Sequence, residues 1–346
     1  MCGPAACSAP RGRRGGSWHE NRGSVAIGAW EFYLIVLLVY LGTDLLAVWG
    51  LNLEFGVAGV ANLAYIVVVA AGAYAYAVFT IGPPSSNGGF QHYIGGYSFP
   101  FPVAVAAATL IGAVVGVLIG ITGLKRLRQD YQAMAMLVVS LMAATVVSAD
   151  KGLFNGNEGL AILSSYAPFS DQDPEFQRWA YVAMVFGICV IGYLVLRRFT
   201  TGPIGRTLRA MRDDEFAAAA VGKDIVRLRL LVQAVGGALG GLSGALLIAF
   251  IGGWSPGAWA YVETLALLTC VIVGGMGSNR GVSIGTLVIA VLLLQGVQFL
   301  PQIGARTDLK YDLGWILLGT LTIAFIWLRP QGIFPESRPK YGAQRR

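Results

Sequence analysis

Charge is scarce in this chain. Of 346 residues, 25 are Lys or Arg and 18 are Asp or Glu, a charged share of 12%, about half that of an ordinary soluble domain. That excludes a water-soluble globule. Histidine is nearly missing as well, with only His19 and His92, and the four cysteines, Cys2, Cys7, Cys189 and Cys270, are scattered. No zinc or disulfide spacing results, and no nucleophile motif or metal-ligand set is present for an integral-membrane enzyme. The chain also lacks a G-x-x-x-x-G-K-[ST] phosphate loop, so it cannot hydrolyse ATP by that machinery. No cofactor of its own is expected. The net charge of +7 reads as basic loops beside a membrane, not as nucleic-acid binding.

Apolar runs fill the space that charge leaves. Hydrophobic residues make up 55%, in stretches near the roughly 20 residues that cross a bilayer as a helix. The expected fold class is all-α, a polytopic transmembrane helical bundle. Nine spans are expected near 30–50, 57–80, 101–123, 132–149, 179–196, 230–251, 262–277, 282–300 and 312–328, or ten if one is hidden. Basic residues after the third, fifth, seventh and last of these put the corresponding loops in the cytoplasm. Loops 81–100 and 150–178, poor in Lys and Arg, then face outward. The Arg-rich start does not fit this alternation. Either one more crossing or a broken, re-entrant stretch lies in 30–80, with the break expected at Gly50–Gly59, which also holds Glu54, or the Arg-rich start is a weakly placed extension. Residues 1–28, rich in Gly, Arg, Ser and Pro, read as a disordered basic extension. Residues 29–330 form the membrane unit and 331–346 a basic cytoplasmic tail.

Glycine is plentiful, at 47 residues, and partly periodic. Gly112, Gly116 and Gly120 recur every fourth residue, as do Gly236, Gly240 and Gly244, with Gly237 and Gly241 beside them. Such stripes let helices approach closely in lipid, either within one subunit or between two. One hydrophilic island interrupts the apolar pattern, from Gly205 to Gly222. Arginines lead into three acids, four alanines and a terminal glycine, which predicts a short helix over Thr207–Val221. A charged, rigid helix on a membrane surface suits docking of a soluble partner, or a plain solvated face against lipid headgroups.

The stretch Gly205–Leu230, with Arg212-Asp213-Asp214-Glu215 and the alanine run to Gly222, resembles the cytoplasmic loop of ABC-importer permeases. More narrowly it is similar to the branched-chain amino-acid (Liv-type) permeases, which carry G-R-x-L-R-A-x-R-x-x-E there. Gly274-Gly275-Met276-Gly277-Ser278, followed by Gly281 and Gly285, resembles that family's G-G-x-G-S-x-x-G loop. The ending Arg329-Pro330-Gln331-Gly332-Ile333-Phe334 resembles its R-P-x-G-hydrophobic finish, and Gly50-Leu51-Asn52-Leu53 its N-terminal block. Two departures stand out. The family's S-L-G-H-A-A-F reads here as Asn62-Leu63-Ala64-Tyr65-Ile66-Val67-Val68, and its T-G-G-x-x-G as Phe154-Asn155-Gly156-Asn157-Glu158-Gly159.

The resemblance implies a non-enzymatic permease in a bacterial cytoplasmic (inner) membrane. It implies cytoplasmic ATPase subunits that bind the ATP, a second homologous permease and an extracytoplasmic solute-binding protein as partners. On that basis the loop 197–229 is the coupling loop, with Arg206, Arg209 and Arg212 on one face and Asp213, Asp214 and Glu215 supplying acids. Glu215 is the expected anchor and Gly222 the helix stop. Gly274, Gly275 and Gly277 are expected in a tight turn or gating loop. Asp44, Asn62 and Tyr65 are the candidates for a translocation path, and Asn155, Asn157 and Glu158 for contact with the binding protein. Alternatives are a permease for urea or short-chain amides, and a secondary transporter without an ATPase. The latter needs an intramembrane ionisable relay, for which only Glu31, Asp44, Glu54 and Glu263 are on offer, all placed near span ends.

Overall fold

The computed structural model describes residues 22–83, 91–123, 129–162, 168–169, 173–299, 309–329 and 331–336. Most of residues 1–28 and the tail beyond 336 therefore lie outside the described residues. Twelve α-helices follow in order among those described: α1 (Arg22–Leu51), α2 (Tyr65–Thr80), α3 (Phe101–Gly123), α4 (Gln129–Ala149), α5 (Lys151–Phe154), α6 (Pro174–Thr201), α7 (Pro203–Asp213), α8 (Glu215–Ala220), α9 (Ile225–Ile251), α10 (Tyr261–Gly274), α11 (Asn279–Thr286) and α12 (Leu309–Leu328). Among the described residues the strands are two of two residues each, β1 (Leu160–Ala161) and β2 (Gly253–Trp254), which pair antiparallel. Among the described residues six helices are long and apolar enough to cross a membrane, while Tyr65–Thr80, Asn279–Gln295 and Asp312–Leu328 are shorter.

The expected break at Gly50–Gly59 has a definite form. From Asn52 to Val57 the α-helix gives way to a π-helical turn, the irregularity that accommodates an extra residue in a helix. No additional crossing hides there. Arg212 of α7 donates to the Gly56 carbonyl, so α1 ends on the basic-loop side and begins at the opposite end of the bundle. Glu54 lies near the end of this span, as expected, and away from solvent. Glu54 is 0% exposed, because the π-turn aims it at α9, where Gly236 leaves room for its carboxylate.

Helix α9 is the hub, packed against α1, α2 and α3, and its glycines explain how one helix serves three neighbours. Gly237 and Gly241 face Gly112 and Gly116 of α3, Gly240 faces Tyr65, and Gly244 faces the backbone of α2 at Val69 and Ala73. Both glycine stripes thus pack within the subunit. A Cβ on Gly241 would stand 2.8 Å from the Gly112 Cα and 2.9 Å from the Ala108 carbonyl, backbone that cannot rotate away. Gly241→Leu is expected to destabilise the chain by about 3 kcal/mol, the upper range for overpacking. Gly187→Ala in α6, which meets nothing within 4 Å, should leave the melting temperature in detergent unchanged. Equal melting of the two variants would show that α3 and α9 are not in backbone contact.

Helix ends follow local chemistry. Pro203 opens α7 and Pro174 opens α6, the position that tolerates a missing N–H. Asp224 caps α9 through the Arg227 amide at 3.1 Å, and Gly252 closes it in the left-handed conformation. The single helix expected over Thr207–Val221 is corrected. Asp214 is extended (φ −155°, ψ 108°), and its side chain accepts from the Ala217 amide at 3.0 Å. An aspartate that can cap competes with helix continuation, so α7 ends at Asp213 and α8 starts afresh at Glu215. Gly222, at φ +80°, does end the segment as expected.

Candidate functional site

Four segments distant in sequence meet at the basic-loop end of the bundle. Helix α7 lies with Gly205, Leu208 and Met211 buried, which turns Arg209 and Arg212 inward and leaves Arg206 exposed. The three arginines therefore do not share one face. At 3.6 residues per turn, positions i and i+6 diverge by roughly 120°. Arg209 Nε and Arg212 Nη2 each lie 2.8 Å from a carboxylate oxygen of Glu336, and Arg212 also holds the Gly56 carbonyl. Arg209 further donates to the Thr200 carbonyl at 2.9 Å. Asp213 is exposed, with only a 3.7 Å approach to Arg212.

The Gly274–Ser278 turn is built into the same assembly. Gly275 and Gly277 take φ +116° and +80°, values that exclude a side chain at little cost only for glycine. The Gly277 amide donates to Asn52 Oδ1 at 3.0 Å. Asn52 Nδ2 then donates to Asn279, and Asn279 Nδ2 to Thr200 Oγ1. The C-terminal stretch lies across this turn, with the Ile333 amide on the Val273 carbonyl at 2.8 Å and the Phe334 amide on Gly274 at 3.1 Å. Asn52 and Glu336 were not singled out from sequence. The only signal for them was their place inside, or just beyond, blocks already noted.

Helix α8 projects from this assembly. Glu215 Oε2 accepts from Arg229 of α9 at 2.7 Å, so the expected anchor is already engaged within the chain and fixes how α8 sits. Beside it Phe216 is 89% exposed and Val221 78%. These two large apolar side chains stand on a polar segment outside the apolar spans.

Deeper in the bundle, a cavity of about 590 Å³ opens between α1, α9, α10 and the segment 290–297. Asp44 and Glu263 line it together with Tyr40 and Gln295, against apolar walls from Ile66, Val69, Leu247 and Leu267. No Lys, Arg or His is among its described lining residues. Asp44, expected on a path, thus faces open space, and Glu263 joins it from the first turn of α10. Asn62 and Tyr65 lie elsewhere. Tyr65 is fully buried and donates to the Gly236 carbonyl at 2.9 Å, and Asn62 donates to Glu54 Oε2 at 2.8 Å. The structure uses both to close α2 and the π-turn against α9, and neither lines the cavity.

At the opposite end from α7, Asn155 adopts φ +63° and is buried, donating to the Gly159 carbonyl and accepting from the His92 amide. It builds the turn, with its side chain spent on the chain's own backbone. Asn157 and Glu158 remain exposed.

Residues 33–326 match the family described as branched-chain amino acid transport system / permease component. The chain belongs to this family. LivM of Methanocaldococcus jannaschii, a probable branched-chain amino acid transport permease, is 27% identical over 334 residues, covering 87% of this chain and 93% of that protein. The high-affinity branched-chain amino acid permease LivM of Salmonella typhimurium is 27% identical over 341 residues, 92% of this chain and 72% of its own length. The fructose import permease FrcC of Rhizobium meliloti is 26% identical over 254 residues, 67% of this chain and 65% of its own. No solved structure gives a significant match. The family is one of transport permeases, and six apolar helices of spanning length among the described residues make this a multi-pass membrane protein.

Proposed function

We propose that the chain is the permease subunit of an ATP-driven importer for branched-chain or related small amino acids, in a bacterial cytoplasmic membrane. About nine spans would surround the path. A second homologous permease completes it, cytoplasmic ATPases dock on α7–α8, and a solute-binding protein delivers cargo to the end bearing Asn157 and Glu158. The cavity is the observation that carries this reading. Its volume lies in the range of small-molecule sites, and two carboxylates opposite apolar walls suit an ammonium group with an aliphatic side chain. Family membership and the two LivM relatives support the same solute class.

The relationship to a fructose permease favours a second reading, an uncharged polar solute that uses the Tyr40, Ser243 and Gln295 groups of the same cavity. ATP hydrolysis by the reconstituted assembly in lipid separates the two. Stimulation by leucine that depends on this chain is the expected result. A stable assembly stimulated by fructose or urea and not by leucine would discard the amino-acid assignment. Absence of any association with an ATPase would revive a secondary transporter.

A further inference from the structure

We propose that Glu336 is a positioning residue, latching the C-terminal stretch 331–336 across α7 and the 274–278 turn. A push on α7–α8 is then passed to the end of α1 and the head of α11 as one motion. The proposal deepens the importer reading and rests on it for its transport arm only.

Both carboxylate oxygens of Glu336 lie in ion pairs at 2.8 Å, one with Arg209 and one with Arg212, and the Arg212 pair is also hydrogen-bonded. The Glu336 side chain is 14% exposed and that of Arg212 19%. Pairs at a wet surface are worth little because solvent and salt screen them, and these are largely withdrawn from both. Arg212 is the junction. One of its nitrogens holds Glu336 and another the Gly56 carbonyl in the π-turn, while its aliphatic stem packs on Gly59. The latch also abuts Gly277, where a Cβ would stand 3.0 Å from the Glu336 carboxylate. Gly277 in turn donates to Asn52. Removing the carboxylate takes the shared ion-pair partner from two guanidiniums on α7, with the exposed Asp213 the other acid paired with Arg212 among the described residues. It also frees the end of a segment otherwise held by the Ile333 and Phe334 amides. The two arginines that sequence assigned to a partner are therefore committed inside the chain, where they tie the docking element to both parts of the bundle that border it.

The test uses the full chain with Glu336→Gln, Glu336→Asp and the double variant Arg209→Gln/Arg212→Gln. In hydrogen exchange of the purified chain, protection of the Ile333 and Phe334 amides should fall about tenfold in Glu336→Gln and in the double variant, the size expected for a lost charge-assisted bond. Glu336→Asp, which keeps the charge, should fall less. In proteoliposomes with the second permease, ATPase and binding protein, leucine taken up per ATP hydrolysed should drop about fivefold in Glu336→Gln, a coupling loss near 1 kcal/mol. A merely structural lesion would lower uptake and hydrolysis together and leave their ratio unchanged. Unaltered exchange in Glu336→Gln overturns the latch, whatever the assembly transports. A loosened segment with wild-type uptake per ATP overturns the positioning role. A wild-type assembly without leucine-dependent hydrolysis overturns the importer reading and the positioning role with it, while exchange still decides the latch.

Discussion

Phe216→Asp is expected to abolish capture of the ATPase by this chain and to lower leucine uptake at least tenfold, with the chain itself folded as before. Phe216 is 89% exposed, so its removal leaves no cavity behind. The frame that presents it is independent of its side chain, resting on the Asp214 cap and the Glu215–Arg229 bond. Burying a phenylalanine in a partner's groove is worth about 1.5–3 kcal/mol, and anchors of this kind dominate interfaces. Each 1.4 kcal/mol is about a factor of ten in affinity, so Phe216→Ala should weaken docking by about ten- to a hundredfold. Aspartate adds the cost of an unpaired charge in that groove. Co-purification of the tagged chain with its ATPase, at matched amounts in detergent, reads the effect directly. Wild-type capture by Phe216→Asp would place the docking surface elsewhere. Glu215→Lys is expected to act through α8 itself, because it loses Arg229 and puts two cations side by side.

Phe216 also marks where sequence reading reached its limit. The position of the helical apolar segments was legible, because length and hydropathy alone decide what fits a bilayer. The stop at Gly222 and the turn at Gly275 and Gly277 were legible for a similar reason, since glycine at those points reports backbone conformation locally. The break between α7 and α8 was harder. Alanine propensity argued for one helix, and the capping strength of Asp214 won over it. Charged residues misled most. Arg209, Arg212 and Glu215 looked like groups waiting for a partner, but their partners, Glu336 and Arg229, lie 127 or fewer positions away in a contact that only the fold creates. Likewise the place of Glu54 near a span end did not tell that the π-turn sets it against Gly236. Periodicity places a residue on a helix face; which neighbour that face meets is a property of the packed bundle.

Asp44→Asn with Glu263→Gln should reduce leucine uptake about a hundredfold while the protein melts at the same temperature or higher. The two halves of that expectation have one cause. A carboxylate within a membrane span costs about 2.5–3.5 kcal/mol on insertion scales, and neither residue has a cationic partner among the described lining residues to offset it. Neutral amides of the same shape relieve that cost, so a structural role predicts no gain in stability whereas a solute-facing role does. Their setting is rigid. Ser243 Oγ of α9 donates to the Thr43 carbonyl at 2.8 Å, which pins α1 beside Asp44, and Glu263 is held in the first turn of α10. An ammonium passing between them meets two carboxyl groups in a low-dielectric wall, where a charge-assisted bond is worth about 1.5–3 kcal/mol. Loss of one such bond should cost about tenfold or more in uptake, and loss of both about its square. The single variant Asp44→Asn should therefore fall between wild type and the double variant. Uptake of leucine at the wild-type rate by the double variant would show that the solute's ammonium is not read in this cavity, and would turn the assignment toward an uncharged cargo.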